Sequence, residues 1–300
     1  MQVKFYTQKI YSLNLGKNLN TKQKSVAFAS LGQIKNSQKA AEEFAMDLYE
    51  ASKKGKLDKN TITGIARKTI PFIEIGSMRE LYAIFGEDAL KYKAYLLPEY
   101  GQDCKIKKLT IFSNDKASKT QQIGSLSHEY CHGAQRYNDN NYMGLSNYTN
   151  GNLYQARALN SIAACVFSSV ENLKRTKGVL ENTLKNLNDS KTEQEALYKA
   201  FNLKDEYEFK IFIKRYFNQI YPEILKSFTS RKEIKKNIPF CDNPIKLRKI
   251  IKEQCATRAR MEYEAYSVQK NVIQKINKEE LSMDNIFNPI FYKALCNVFN

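Results

Sequence analysis

Apolar residues fall at helical spacing along most of this chain. Alternation with period two is confined to short stretches. From Asn36 or Ser37 onward, Ala40, Ala41, Phe44, Ala45, Leu48 and Tyr49 mark one helical face. That helix should end near Lys53-Lys54, with Gly55 placed to stop it. A short helix is expected over Thr61–Thr69, closed by Pro71, and another over Met78–Phe85 with Leu81, Tyr82 and Phe85 on one side. Residues 1–35 are mixed and polar and read as a lead-in or short strands. The best strand is Ile106–Ser113, rich in β-branched and aromatic residues and broken by Asn114-Asp115.

A helix from about Ser118 to Tyr137 follows. Its stripe of Gly124, His128, Cys131, His132 and Gln135 is flanked by Ile123, Leu126, Tyr130, Ala134 and Tyr137, which can pack inward. An Asn- and Gly-rich loop covers Asn138–Asn152. Helices are then expected over Leu153–Leu187, with a break available at Lys177-Gly178, and over Lys191–Phe201, Asp205–Tyr221 and Glu223–Lys236. After Pro239–Pro244 a long helix runs over Ile245–Ile276, and small segments finish the chain near Phe287–Phe299. Gly (12) and Pro (6) are scarce, which agrees with a mainly α (α+β) fold with a small sheet beside the 118–137 helix. No linker marks a domain boundary. The reading is one domain over 1–300, with a subregion at 1–100 and a helical stretch at 153–244 as its internal divisions.

Charge adds one question. The net charge is +17, but Lys outnumbers Arg 38 to 10, so the better base and phosphate reader is the rarer one. Attraction to nucleic acid or an anionic surface is a possible partner class from charge, yet no phosphate loop, zinc-finger spacing or RNP-like aromatic pattern accompanies it. The six cysteines are scattered without a CxxC, as in a reducing compartment. No secretory signal and no apolar run of about 18 residues is present, so the expectation is a cytoplasmic protein, or one exported without a cleavable signal.

The chemistry is concentrated in one pentapeptide. Both histidines of the chain lie in His128-Glu129-Tyr130-Cys131-His132. At i and i+4 on a helix the two imidazoles project from one face and can share a zinc ion. Glu129 then stands where a carboxylate can take a proton from zinc-bound water. Chance placement of two histidines and a Glu in this pattern has odds of roughly one in two thousand. No Lys or Arg falls between Lys119 and Arg136, which suits a buried or cleft-lining helix. Catalytic zinc usually takes three protein ligands. With both histidines used, the third must be Glu, Asp or Cys. Cys131 is either near the metal or a small core residue.

The HExxH segment resembles the zincin-like metallopeptidases of the Glu-ligand type, and is similar to uncharacterised bacterial metallopeptidases. The extended HExxHxxGxxH form does not apply, because Gln135 and Asn138 stand at its last positions. Glu-ligand members carry the third ligand on a second helix in patterns such as NEAxS. Tyr263-Glu264-Ala265-Tyr266-Ser267 looks like this, so the resemblance assigns Glu264; Glu262 and Glu171 stay open. Glu262 lies about 200° from Glu264 around a helix, so both cannot face one metal. The resemblance covers less than a quarter of the chain, and its long gap from His132 to Glu264 implies a helical insertion over 153–244. It implies a zinc (Zn2+) metalloendopeptidase acting on a protein or peptide substrate, with Glu129 catalytic and His128, His132 and Glu264 on the metal. Tyr266, Tyr137 or Tyr142 would assist the developing oxyanion, Gln135 would support a ligand, and the strand Ile106–Ser113 would hold substrate by edge pairing. The alternative is a non-catalytic basic helical protein that binds anionic partners.

Overall fold

The computed structural model describes residue 34 and residues 36–114, 116–138 and 142–299. The lead-in expected over 1–35 thus lies, apart from Ile34 itself, outside the described residues. The chain runs α1 (Ser37–Lys53), α2 (Lys59–Arg67), β1 (Ile73–Ser77), α3 (Met78–Phe85), β2 (Ala94–Tyr100), β3 (Ile106–Ser113), α4 (Lys119–Asn138), α5 (Ser146–Thr149), α6 (Leu153–Glu171), α7 (Val179–Asn186), α8 (Glu193–Ala200), α9 (Glu206–Thr229), α10 (Lys232–Lys235), α11 (Pro244–Asn277) and α12 (Met283–Phe299). It is mainly helical with one small sheet, as the apolar spacing predicts.

Local chemistry explains most boundaries. Asn36, Asp58, Asn152, Thr192, Asp205 and Asn243 each cap a helix by accepting from a backbone N–H of its first turn. Ser77 and Glu80 close a reciprocal capping box at α3. The break at Lys177-Gly178 occurs, with Gly178 in the left-handed region. Two expectations fail at prolines. Pro222 does not end a helix: α9 continues to Thr229, because Phe217, Ile220, Tyr221, Ile224 and Phe228 keep one buried face across it. Likewise the small segments expected near the C-terminus are one helix, α12, which holds Pro289 within a buried run.

The sheet has the order β1-β3-β2, with β1 parallel and β2 antiparallel to β3. β3 matches its predicted range. β1 was missed because five residues carry little periodicity, and β2 because Pro98 argues against a strand. Just before β2 the Lys93 carbonyl accepts from the N–H of Asn114, just past β3, so the odd-numbered residues of β2 bond toward β3 and the backbone groups of Ala94, Leu96 and Pro98 face outward. Pro98 is tolerated there because an outward N–H is not part of the ladder.

The described residues between 34 and 299 form one compact unit. Within it, one apolar core joins α6, α9, α12 and the first half of α11 through residues such as Phe209, Ile213, Leu247, Ile251 and Phe291. A second joins α1, the sheet, α4 and the second half of α11 through Phe44, Ile111, Tyr130, Ala265 and Val268. Helix α11 therefore passes from one core into the other, and Glu262 lies at the changeover between Ala259 and Ala265.

Helices α4 and α11 run antiparallel in close contact. A Cβ at Gly124 would come within 2.8 Å of the Ile273 side chain. Gly124→Ala should therefore destabilise the fold by about 1–3 kcal/mol through overpacking. Urea unfolding checks this, and an unchanged midpoint would mean that the helix seam has room for a methyl group.

Candidate metal centre

The HExxH face of α4 looks into a cleft of about 840 Å³. Tyr130 and Cys131 point the other way. Tyr130 stacks on Phe44 with ring centroids 4.1 Å apart, and Cys131 is fully buried in the second core. Burial pushes the Cys131 thiol well above its usual range, so it behaves as a small core residue rather than a ligand.

The two imidazoles stand edge to face, with ring centroids 4.8 Å apart. Across the seam, Glu262 Oε2 lies 3.7 Å from His128 Nε2 and 3.6 Å from His132 Nε2. One ligand atom from each of these residues falls within 4.8 Å of the others. Among the described residues, no other set of His, Cys, Asp and Glu converges in this way.

The carboxylate facing the imidazoles is thus that of Glu262, and Glu264, which the resemblance assigned to the metal, is not brought to them. Glu264 sits on the flank of α11, where its carboxylate accepts from Gln135 Nε2 at 2.7 Å. Gln135 Oε1 in turn lies 2.9 Å from His132 Nδ1. Glu264 therefore acts on His132 through Gln135, holding the ring so that Nε2 faces Glu262. The pattern of α11 contained the signal for this. Glu262 lies within about 20° of Ile251, Cys255, Gln269 and Ile273 around the helix, all on the inward stripe, and Glu264 does not. Glu171, the other candidate, is committed elsewhere. It pairs with Lys174 Nζ at 2.8 Å and accepts from the Tyr292 hydroxyl.

Electrostatics follow from burial. Desolvation and the neighbouring His132 charge depress His128 to about 3, so its ring stays neutral. Its buried Nδ1 has no hydrogen-bond partner, although the Gln269 amide lies beside the ring. Burial alone would lower His132 and raise Glu262, but their mutual attraction prevails, and His132 is held high and Glu262 low. Burial raises Glu129 to about 7, with Glu262 adding to the rise and His132 opposing it.

Of the tyrosines named from the sequence, only Tyr266 reaches the centre. Its ring packs edge-on to His128 at 4.4 Å and stacks on Tyr292 at 5.3 Å. Tyr137 packs on Phe72, and Tyr142 on Tyr100. The strand bordering the cleft is also corrected. β3 is paired on both sides, so it has no free edge. β2 lines the cleft with Ala94, Tyr95 and Leu96, and the Leu96 N–H donates to the Glu129 carboxylate. Sequence reasoning also passed over Gln269, Arg136 and Arg258, which line the same cleft.

The residues fit a metal. Tetrahedral zinc with bonds of about 2.0–2.2 Å needs ligand atoms about 3.3–3.6 Å apart, close to the separations from Glu262. Two imidazole nitrogens and one carboxylate oxygen are also a donor set suited to zinc. Among the described residues, no helix is long and apolar enough to cross a membrane. Comparison with protein families, with curated proteins and with solved structures finds no match to this chain.

Proposed function

We propose that this chain is a zinc-dependent peptide-bond hydrolase, with the metal held by His128, His132 and Glu262. The observation that carries the reading is the convergence of both histidines and one carboxylate on the floor of a cleft, with Glu129 beside them. Zinc, when bound, would supply Lewis acidity toward water and a carbonyl oxygen.

The chain's own groups supply the rest. Glu129 takes the proton that the attacking water loses and hands it to the departing nitrogen. Its carboxylate is positioned by the Leu96 N–H. Tyr266, edge-on to His128, has its hydroxyl available to donate to oxygen as negative charge develops there. The outward N–H and carbonyl of Ala94 and the carbonyl of Leu96 offer an extended peptide a short edge to pair with, and Pro98, lacking an N–H, limits that pairing at one end. Gln135 and Glu264 orient His132.

The direct test is metal content. The purified chain should hold one zinc per molecule, and His128→Ala should lose it. A chain that stays metal-free in zinc-replete buffer would end the proposal, and salt-sensitive nucleic-acid binding in its place would favour the non-catalytic alternative. Gln135→Ala should keep the fold but weaken zinc by about 10- to 100-fold, since it removes the hydrogen bond that sets the His132 ring. Competition with a chromogenic chelator measures this, and unchanged affinity would show that Gln135 does not position the ring.

A further inference from the structure

One turn along the α4–α11 seam from His132 and Glu262, two arginines line the same cleft. Arg136 follows His132 by four residues on α4. Arg258 precedes Glu262 by four on α11. Because the helices are antiparallel, both lie at the same end of the metal centre.

Neither arginine has an ion-pair partner among the described residues. Arg258 donates from Nη2 to Asn160 Oδ1 at 2.7 Å, a neutral acceptor, while its Nε is buried with no partner. The two guanidinium groups are near enough for the charge of Arg136 to disfavour that of Arg258. The acid nearest in effect to Arg258 is Glu262, which is turned to the imidazoles. The other cleft cation near the centre, Lys174, is already neutralised by Glu171. Two like charges with an orphaned buried donor are an arrangement that an incoming anion completes.

We infer that Arg136 and Arg258 form a carboxylate-recognition subsite, which selects peptides carrying a carboxylate one or two residues from the bond cut. The spacing sets that distance. One helical turn is about 5.4 Å, against about 3.3 Å per residue of extended peptide. The guanidinium fork matches a carboxylate through paired N–H donors. The carboxylate is either the α-carboxylate of a chain end or an Asp or Glu side chain. This inference rests on the peptide-hydrolase reading for its orientation and narrows its substrate class.

The test measures binding without turnover. Zinc-loaded Glu129→Gln protein is titrated, by fluorescence anisotropy, into three dye-labelled tripeptides. These are dye-Gly-Ala-Ala with a free carboxylate, dye-Gly-Ala-Ala amide, and dye-Gly-Ala-Asp amide. The free acid, the Asp amide or both should bind about 10- to 100-fold more tightly than the Ala amide. Which of them does so identifies the source of the carboxylate. Arg136→Gln, added to the same protein, should erase the preference; Arg258→Gln should do the same where its melting curve shows that it folds. Equal binding of all three peptides, or a preference that survives Arg136→Gln, would overturn the subsite. Selective binding of the acid by a chain that takes up no zinc in zinc-replete buffer would keep the carboxylate site and end the hydrolase reading instead.

Discussion

Glu129→Gln should abolish peptide hydrolysis while leaving zinc content at one per chain. The expected loss is about 10²- to 10⁴-fold in kcat, the range for removing a positioned general base. The substitution is nearly isosteric, and an amide oxygen can still accept the Leu96 N–H, so the local structure should persist. It also removes a carboxyl that burial already disfavours in its charged form. Stability should therefore be unchanged or slightly higher. A melting curve, metal analysis and single-turnover assay on one preparation separate these effects. Hydrolysis that continues near the wild-type rate in a pure, zinc-loaded variant would remove Glu129 from the mechanism. Loss of metal together with activity would mean that Glu129 has a structural part in the centre instead.

The second large effect distinguishes two glutamates that lie two residues apart. Glu262→Gln should weaken zinc by more than about 100-fold, exceeding what supporting residues cost, because it removes a charged donor from a set of three. Glu264→Gln should change affinity by less than about tenfold. Its amide oxygen can still accept from Gln135 Nε2, so the support of His132 survives. Chelator competition on both variants gives the ratio directly. If Glu264→Gln proved the more damaging, Glu262 would not be the third ligand, and the carboxylate at 3.6 Å from His132 would be a charge partner only.

The choice between these glutamates marks the limit of what the chain alone reveals. The motif analogy favoured Glu264, since a small residue follows it and resembles a known ligand pattern. The inward stripe of α11 favoured Glu262, which aligns with Ile251, Cys255, Gln269 and Ile273. The stripe decides which carboxylate meets the imidazoles, because a side chain that reaches them must share a face with the residues that pack the helix against α4. Helices α1, α4, α6 and α11 were legible because each presents a long periodic face, and α1, α6 and α11 also have a capping residue at the start. β1 and β2 were not. Five residues are too few for periodicity, and Pro98 is allowed only because its position faces away from β3. Arg136 and Arg258, 122 residues apart in sequence, carry no shared local signal.

Local order alone determined the helical character of this chain, the range of β3 and the pairing of His128 with His132 on one face, because all three depend on neighbours within a turn or a strand. Only the tertiary structure decided which carboxylate meets the imidazoles, which strand borders the cleft and which cations stand beside it. Those outcomes depend on how α4 and α11 cross and on which edge of the sheet is left unpaired. Both are set by packing between segments more than 100 residues apart in sequence, or by partners that a strand's own residues do not specify.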